Sequence, residues 1–286
     1  MKLCSVIVWY NPDLDCINNI LSYSAFVEKC YIIDNSVNDN SNYASKIPNS
    51  IYIPNLTNCG IAKALNIGCQ KALDDGFEWC MTMDQDSIWE ENQIKNYLNS
   101  IKNSINSDFV SYGPNLKLTN KISVLSSVKR KIFGINKRVK SYDYTETPNK
   151  IITSGNIIKL TVWKEVNCFY EPFFIDEVDN EFCFKLKKNG YNIRLFKDIF
   201  LTQTIGNSNR NFFPGETHSS IRLYYMMRNR LYMQKMYPDL AKKEDYRYWI
   251  SKLIQQVLLK FSITSTKYMV KGFNDFKKGI LGEFKK

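Results

Sequence analysis

This sequence lacks the features that define several large classes of protein. Its 286 residues contain no run of about 18 apolar residues, which excludes a membrane-spanning helix. The first residues continue directly into a strand-like segment, so we expect no signal peptide. The eight cysteines form no CxxC pair and mostly lie in apolar stretches. This usage excludes a zinc or disulfide framework and predicts reduced, buried thiols in a cytoplasmic protein.

Common nucleotide-binding signatures are also missing. No GxGxxG follows the first strand-like segment, which argues against a Rossmann dinucleotide site, and no GxxxxGK[ST] sequence marks a P-loop. Zinc-finger, RRM-like and KH-like motifs do not occur, so nucleic acid is not an expected partner. Histidine occurs once, at position 218.

Positive charge is plentiful, and it is unevenly distributed. The formal net charge is +11, and residues 215–286 contain 15 lysines and arginines against 6 acids. Such asymmetry indicates an anionic partner. With no nucleic-acid motif present, we expect an anionic membrane surface. Apolar residues make up 44% and charged residues 23%, as in ordinary globular proteins.

Short apolar runs alternate with amphipathic segments over the first 112 residues. The pattern predicts strands at 3–9, 30–33, 51–53, 79–83 and 109–112, and helices after Asp13 to about 24, at 61–73 and from 91 to about 105. Strands that alternate with helices are typical of a doubly wound, mostly parallel α/β sheet.

Two carboxylates follow the fourth predicted strand. Asp84 and Asp86 are separated by one residue, so on an extended backbone they point the same way. Ligands of open α/β sheets bind where strands end, and carboxylate oxygens suit Mg²⁺ or Mn²⁺. Two solvated acids in a loop would fit this short motif equally well. Asn11 and Asp34 also follow predicted strands.

Four segments together resemble the family 2 glycosyltransferases of GT-A fold, in particular the bacterial rhamnosyltransferase-like branch. They are, in order, VIVWYNP (6–12), IIDNS (32–36), NCGIAKALNIG (58–68) and DQD (84–86). The resemblance covers about residues 3–235. It implies an inverting transfer of a sugar from a nucleotide-diphosphate donor, with Mg²⁺ or Mn²⁺ as cofactor.

The resemblance also implies roles for individual residues. Asp34 would contact the nucleoside, Asp86 would be the main metal ligand, and Asp84 would lie nearer the ribose and share the metal site. The donor-binding residues implied in this way are Tyr10, Asn11, Asp34, Asn58, Gly60, Lys63, Asp84, Ser154, Gly155 and Arg222. Ser154 and Gly155 belong to a segment, 151–156, in which we expect a short strand and then a glycine turn. Residues 115–150 are polar and lysine-rich, and we interpret them as a hairpin or mobile insertion over the site.

A second acidic cluster supplies the expected catalytic base. The segment IDEVD (175–179) resembles the branch's Ile-Asp-x-Val-Asp version of the family's acidic motif and implies that Asp179 is the base, with Asp176 as the alternative. Val178 and Lys185 stand where the family usually has Glu and Arg. A helix whose first turn is acidic and whose end is basic would explain the same charges without catalysis.

The only histidine begins the segment HSSIRLYYMMRNR (218–230), which resembles the branch's His…Arg-x-Tyr-Tyr…Arg-Asn sequence. If His218 lies on a helix, it shares a face with Arg222. Arg222 could then bind the diphosphate while His218 completes the metal shell. A purely structural histidine is the alternative.

Residues 236–286 are expected to form a basic, amphipathic helical extension. An apolar stripe runs from Ile250 to Phe261, and Lys267, Lys271, Lys277 and Lys278 follow it. Membrane contact, a solvated surface helix and packing in a homo-oligomer are all consistent with this pattern.

The sequence therefore predicts a glycosyltransferase domain at 1–235, with a nucleotide-sugar half at 1–113 and an acceptor half at 114–235. The expected donor is a dTDP- or UDP-linked sugar, of which the resemblance favours rhamnose, and the expected acceptor is a lipid-linked saccharide used in capsule or O-antigen synthesis. We expect the protein at the inner face of the cell membrane. A sugar-phosphate nucleotidyltransferase and a non-catalytic nucleotide-sugar-binding protein are the alternatives. The first would need a glycine-rich basic loop where this chain has Tyr10, Asn11 and Pro12.

Overall fold

The computed structural model of the protein describes residues 1–104, 108–120, 148, 150–205, 219–241 and 263–285. Within these residues, eight strands form one sheet. They are β1 (Leu3–Trp9), β2 (Cys30–Asp34), β3 (Ser50–Pro54), β4 (Trp79–Asp84), β5 (Ser87–Ile88), β6 (Phe109–Asn120), β7 (Asn156–Lys159) and β8 (Asn192–Ile205).

Helices connect and cover these strands. The α-helices that the structure describes are α1 (Leu14–Ser24), α2 (Ser41–Ala44), α3 (Ile61–Asp74), α4 (Glu91–Lys102), α5 (Leu160–Glu165), α6 (Val178–Lys188), α7 (Ser220–Met236) and α8 (Ile263–Lys277). A 3₁₀ helix spans Glu171–Phe173 and leads into α6. Asp13 caps α1 by accepting a hydrogen bond from the Cys16 amide, as its position before the apolar pattern predicts.

The strand order is β3-β2-β1-β4-β7-β6-β8-β5. Strands β3, β2, β1 and β4 run parallel, β7 is antiparallel to both of its neighbours, and β6 is parallel to β8. Parallel neighbours need crossover connections, which α1 and α3 supply. The predicted α/β class with a mostly parallel sheet is confirmed.

The sheet is buried on both faces. Along β1, Cys4 and Val6 belong to one apolar cluster, whereas Leu3, Ile7 and Trp9 belong to another. Because successive side chains of a strand point to opposite faces, the nearly continuous apolar run of β1 fills both clusters. Because β1, β2 and β4 run parallel, their carboxyl ends lie together at one end of the sheet.

Several boundaries differ from those that the sequence predicts. Helix α4 ends at Lys102 rather than near residue 105. Strand β6 continues to Asn120, into the expected insertion, because its second half pairs with β8 from Phe200 onward. The strand predicted at 151 begins only at Asn156, after the turn at Gly155, since Ile151 is buried against Gly113 outside any ladder. The rest of the expected insertion lies outside the described residues, apart from Pro148 and Lys150.

Helix α8 packs along α7, and its Ser265, Met269 and Asp275 are buried. The apolar stripe from residue 250 to 261 lies outside the described residues, as does His218. Among the helices that the structure describes, none has both the length and the apolarity needed to span a bilayer.

Candidate active site

The acid pair lies at the end of β4. Gln203 of β8 donates its amide to both carboxylates, 3.3 Å from Asp84 Oδ2 and 3.1 Å from Asp86 Oδ1, so the two acids face one point. Ser154 Oγ also donates to Asp84 Oδ2, at 2.9 Å, and accepts a hydrogen bond from the Asp84 amide. The acceptor-half segment around Ser154 is thereby joined directly to the acid pair.

These two carboxylates carry poorly compensated negative charge. Burial and the neighbouring Asp86 raise the pKa of Asp84 to about 6, and burial also raises the pKa of Asp86. Hydrogen bonds from Gln203 and the charge of Arg222 act in the opposite direction at both acids. Burial favours the protonated form of both acids, and a cation bound between them would favour the ionised form. The site is therefore suited to a cation.

The residue between the two acids faces the other way. Gln85 Oε1 accepts from the Tyr10 amide at 2.8 Å, and its Nε2 donates to the Tyr10 carbonyl at 3.2 Å. The Tyr10 ring is half-exposed. Asn11 follows with a positive φ of 48°, and its amide donates to Ser36 Oγ at 2.7 Å. The ends of β1, β2 and β4 are thus linked by side-chain hydrogen bonds.

Asp34 ends β2 in a fully buried position. Its carboxylate accepts hydrogen bonds from the Ser36 amide, Asn40 Nδ2 and Tyr52 Oη, each at 2.8 Å. A carboxylate offers about four acceptor sites, so these three bonds leave one. The visible role of Asp34 is to order the loop that follows β2.

Gly60 precedes α3 in a left-handed conformation, with φ 85°. A Cβ at this position would lie 2.7 Å from the Phe174 ring, and the next amide, of Ile61, donates to the Phe174 carbonyl. Asn58 Oδ1 accepts from the Gly60 amide at 3.0 Å, whereas Lys63 is exposed on the first turn of α3. Phe174, which sequence reasoning did not single out, therefore joins the donor half to the acidic segment.

Gly155 permits a close approach, but in the structure the approaching group is Pro114. A Cβ on Gly155 would lie 2.7 Å from Pro114 Cγ, and the Gly155 amide donates to the Thr82 carbonyl at 2.9 Å. Packing within the chain is thus one reason for glycine here.

The two candidate bases have different surroundings. Arg222 Nε donates to both oxygens of Asp176, at 3.1 and 3.3 Å. Asp179, in the first turn of α6, accepts at one oxygen from the Asn180 amide at 2.8 Å. Asp176 is therefore paired with the Arg222 guanidinium. Among the contacts described, the Asp179 carboxylate accepts only the hydrogen bond from the Asn180 backbone amide.

The pKa of each candidate base is raised. Burial raises the pKa of Asp176 to about 6 although Arg222 opposes the change. The pKa of Asp179 rises to about 7, first because of burial and then because of the charges of Glu177, Asp84 and Asp176. Because the charge of Asp84 acts on Asp179, the end of β4 and the start of α6 lie within range of electrostatic interaction.

Arg222 is half-exposed on the first turn of α7. Its charge lowers the pKa of Asp84, Asp86 and Asp176 alike, although its ion pair is with Asp176. The helix begins at Ser220 with Ser219 as its N-cap, and the predicted metal ligand His218 lies outside the described residues. Within the described ranges, no group of three or more histidine, cysteine or acidic side chains is arranged to hold a metal ion.

Two further polar side chains at this site were missed by sequence reasoning. Gln203 bridges the acids from 117 residues away, and Asn229 donates to three carbonyls of the segment that precedes α6. Gln203 lies in the alternating run Leu-Thr-Gln-Thr, which is typical of a strand, but nothing in that run indicates its partner. Asn229 belongs to the segment 218–230, whose sequence does not indicate its contacts.

Comparison with known proteins agrees with this geometry. Residues 14–149 match the model of glycosyl transferase family 2. The chain is 29% identical over 238 residues to the dTDP-rhamnosyl transferase RfbF of Shigella flexneri, which covers 80% of this chain and 78% of that protein.

Solved structures show the fold at much lower identity. A structure of GalNAc-T7 with UDP, GalNAc and Mn²⁺ superposes with a TM-score of 0.60 at 13% identity, covering 98% of this chain but only 57% of that one. The Staphylococcus aureus TarS 1–349 complex with UDP-GlcNAc gives a TM-score of 0.58 at 16% identity and covers 98% and 82% of the two chains. Both have the GT-A fold, which this chain shares. With this fold, the match of residues 14–149 and a rhamnosyltransferase relative over most of its length, the chain is a glycosyltransferase that is similar to family 2 enzymes and to a rhamnosyltransferase.

Proposed function

We propose that this protein transfers rhamnose from dTDP-rhamnose to a saccharide acceptor, with inversion at the anomeric carbon, and that a divalent cation assists. The observation that carries the proposal is that the segment with the candidate bases packs against the start of α3. The Ile61 amide donates to the Phe174 carbonyl at 2.7 Å, and the charge of Asp84 at the end of β4 raises the pKa of Asp179 at the start of α6. The relative named for dTDP-rhamnose supports this donor over UDP-linked sugars.

The donor is proposed to lie across the carboxyl ends of β1, β2 and β4. Tyr10, Asn11 and the remaining acceptor site of Asp34 would meet the nucleoside, and the start of α3 from Asn58 to Lys63 would flank it. Arg222 would meet the diphosphate, for which a guanidinium is a suitable bidentate donor. Ser154 and Gly155 would line the sugar side of the site.

Asp84 and Asp86 fit a divalent cation by the chemistry of their oxygens. Both are hard carboxylates turned toward one amide, and burial opposes their ionisation, which a cation would favour. Mg²⁺ or Mn²⁺ held there would offset the charge that develops on the departing diphosphate. His218 is proposed as a further ligand.

Asp179 is proposed as the base. Its carboxylate takes the proton of the acceptor hydroxyl while that oxygen bonds to the anomeric carbon, and the bond from this carbon to the diphosphate oxygen breaks on the opposite face. A pKa near 7 suits a general base at physiological pH. Asp176, whose two oxygens are bound by Arg222, is the second candidate for this role.

The proposed assignment can be tested by thermal unfolding with dTDP, UDP, GDP and CMP, each with and without Mn²⁺. We expect dTDP with Mn²⁺ to raise the melting temperature by roughly 5 °C at a hundredfold excess over Kd, because a ligand that binds only the folded state stabilises it. The shift should disappear in Asp86→Ala and persist in Asp198→Ala, which removes an exposed acid outside the site.

The same experiment distinguishes the alternatives. A shift with dTDP but no transfer of rhamnose to any lipid-linked or soluble saccharide would favour a nucleotide-sugar-binding protein. Release of pyrophosphate from dTTP and a sugar phosphate would identify a nucleotidyltransferase. A metal-dependent shift that survives Asp86→Ala would contradict the proposed metal site.

The acceptor is proposed to be lipid-linked, and the protein to act at the inner face of the membrane in the synthesis of capsule or O-antigen. We propose that residues 1–235 form the glycosyltransferase domain and that residues 236–286 form the basic helical extension. Helix α8 supports it because Val270 and Phe273 are exposed on a helix that also carries Lys267, Lys271 and Lys277. Apolar side chains among lysines suit an anionic interface.

A further inference from the structure

The segment that carries the candidate bases has an unusual backbone. Phe174, Asp176 and Glu177 all have positive φ, between 63° and 66°, although each has a Cβ. Phe174 adopts φ 66° and ψ −65°, and the Ile175 amide donates to the Phe173 carbonyl at 2.8 Å, which together form a γ-turn of the rare, strained kind. Such conformations persist only where the surroundings hold them. We call residues 173–177 the acidic turn.

Helix α7 provides much of what holds this turn. Asn229 is fully buried, and its Nδ2 donates to the carbonyls of Phe173 at 2.9 Å, Ile175 at 2.8 Å and Asp176 at 3.0 Å. One amide group therefore fixes the directions of three carbonyl groups within four residues of the strained conformation. The neighbouring Glu177 is held separately, by its ion pair with Arg230 at 3.2 Å.

Arg228, next to Asn229, is also fully buried. Its Nη2 lies 3.3 Å from the carbonyls of both Pro172 and Phe173, and its guanidinium lies over the rings of Tyr224 and Tyr225. Among the described residues, its hydrogen-bond acceptors are neutral oxygens rather than carboxylates. Burying a guanidinium without a carboxylate partner is unfavourable for stability, so this arrangement points to a function in organising backbone.

The segment after α8 completes the arrangement. The Gly282 carbonyl accepts from Arg228 Nη1 at 2.7 Å, and the Gly282 amide donates to the Pro172 carbonyl at 2.8 Å. The Phe284 amide donates to Tyr225 Oη at 2.7 Å. Gly282 therefore bonds both to Arg228 and to the Pro172 carbonyl, which Arg228 also contacts.

Tyr225 and Phe174 extend the contact to the donor half. Their rings are stacked 5.2 Å apart, and Phe174 in turn contacts Gly60 at the start of α3. A continuous chain of contacts thus runs from the residues after α8, through α7 and the acidic turn, to the donor half. Asp179 is the second residue of the helix that directly follows the turn, so the turn sets where Asp179 lies.

We propose that Arg228, Asn229 and residues 282–284 form a brace that positions the acidic turn, and through it Asp176 and Asp179, for the transfer step. The brace residues are positioning residues, and their catalytic consequence rests on the proposed function. Loss of the brace should lower kcat much more than nucleotide affinity, because most contacts proposed for the nucleotide lie at the ends of β1, β2 and β4 and at the start of α3. Only Arg222 lies on α7, in the first turn, away from Asn229.

Two variants of the full chain test the brace. Asn229→Ala removes the three carbonyl contacts. Gly282→Ala is milder, and its matched control is Gly279→Ala, because both glycines have positive φ (86° and 74°) with no atom within 4 Å of an added Cβ. The two glycine variants carry similar backbone strain, but only Gly282 bonds to Arg228 and Pro172.

The first measurement is hydrogen exchange of the amides in residues 173–181, which needs no activity. We expect exchange to become at least tenfold faster in Asn229→Ala and faster in Gly282→Ala, with no change in Gly279→Ala. Unchanged exchange in Asn229→Ala, or equal changes in the two glycine variants, would overturn the brace. If Asn229→Ala does not fold, the glycine pair alone decides.

The second measurement separates the brace from the proposed function. With dTDP-rhamnose, well below the melting temperature of each variant, we expect kcat to fall at least tenfold in Asn229→Ala while dTDP affinity in Mn²⁺ changes less than threefold. An equal loss of kcat and affinity would contradict positioning. A wild-type protein that transfers no sugar, with exchange as expected, would overturn the proposed function and leave the brace established as a structural element.

Discussion

Asp176 and Asp179 are three residues apart, yet their carboxylates are used differently. Both oxygens of Asp176 accept from Arg222, which also lies near Asp84 and Asp86. Asp176 therefore orients the guanidinium of Arg222, which we propose to bind the diphosphate. Asp179 has no such ion pair among the described contacts, and it has the higher pKa of the two, about 7 against about 6. These differences favour Asp179 as the group that receives a proton.

The raised pKa of Asp179 predicts how the fold responds to its removal. Folding raises this pKa from 3.8 to about 7, so the folded state binds the proton more tightly than the unfolded state does. Ionisation of Asp179 therefore lowers the free energy of unfolding. This loss is absent below pH 4, where the carboxyl is protonated in both states, and complete above pH 7. Asp179→Asn should therefore raise the free energy of unfolding by about 1 to 4 kcal/mol at pH 8 and by much less at pH 4.

Urea unfolding of the metal-free protein at both pH values checks this prediction. Asp198→Asn, which removes one exposed charge elsewhere, is the matched control. An equal effect of Asp179→Asn at both pH values would mean that the carboxylate is not held against ionisation. Transfer should be abolished in the same variant, and retained transfer would assign the base to another residue.

At the scale of elements, the start of α3 and the acidic turn depend on each other. The Ile61 amide donates to the Phe174 carbonyl at 2.7 Å, and the Phe174 ring occupies the space that a side chain at Gly60 would need. The donor half and the catalytic segment are therefore packed at a point where only glycine fits.

Gly60→Ala should destabilise the fold by about 2 to 5 kcal/mol, because it adds a steric clash to an unfavourable left-handed backbone. Gly190→Ala is the control, since its φ of 82° is similar but no atom lies within 4 Å of an added Cβ. That variant should lose only about 1 to 2 kcal/mol. Denaturant midpoints measure both, and equal losses would show that the contact with Phe174 is unimportant.

The sequence predicts the elements of the first half well because their signals are local. The apolar run of β1, the cap at Asp13 and the helical spacing of α3 each depend on neighbouring residues, and each agrees with the structure. Strand β8 and the extension of β6 pair with each other across about 85 residues, so no local pattern indicates that they are partners. For the same reason the sequence suggests the acids of the site but not Gln203, Phe174 or the brace.

At the scale of the whole molecule, part of the C-terminal positive charge lies on one helix. Helix α8 presents Val270 and Phe273 to solvent, and Lys277 lies over the Phe273 ring. Because the opposite side of the helix packs on α7, the lysine-rich surface is fixed relative to the proposed site. A membrane contact through α8 would therefore set the orientation of the site toward a lipid-linked acceptor.

Flotation with vesicles tests this contact. We expect the protein to float with vesicles that contain 30% phosphatidylglycerol (roughly a bacterial level of anionic lipid) and to bind at least fivefold less when Lys277 and Lys278 are both changed to Glu, since each lysine near an anionic surface contributes about 1 kcal/mol. Replacement of Lys46 and Lys102, exposed lysines elsewhere in the fold, by Glu is the control for net charge. Equal losses in the two double variants would indicate nonspecific attraction and would contradict a contact through α8.

The contacts of Arg228 also bear on when the site is completed during synthesis. Arg228 is made 55 residues after Phe173, and Gly282 follows 54 residues later. At about 5 to 20 residues per second, the ribosome needs roughly 5 to 20 s to add those residues once the acidic turn has been made. During that interval the nascent chain contains every acid of the proposed site but not the complete set of groups that hold the turn. The capacity for transfer should therefore arise only after Gly282 has been made, in one step, rather than growing as each strand is added.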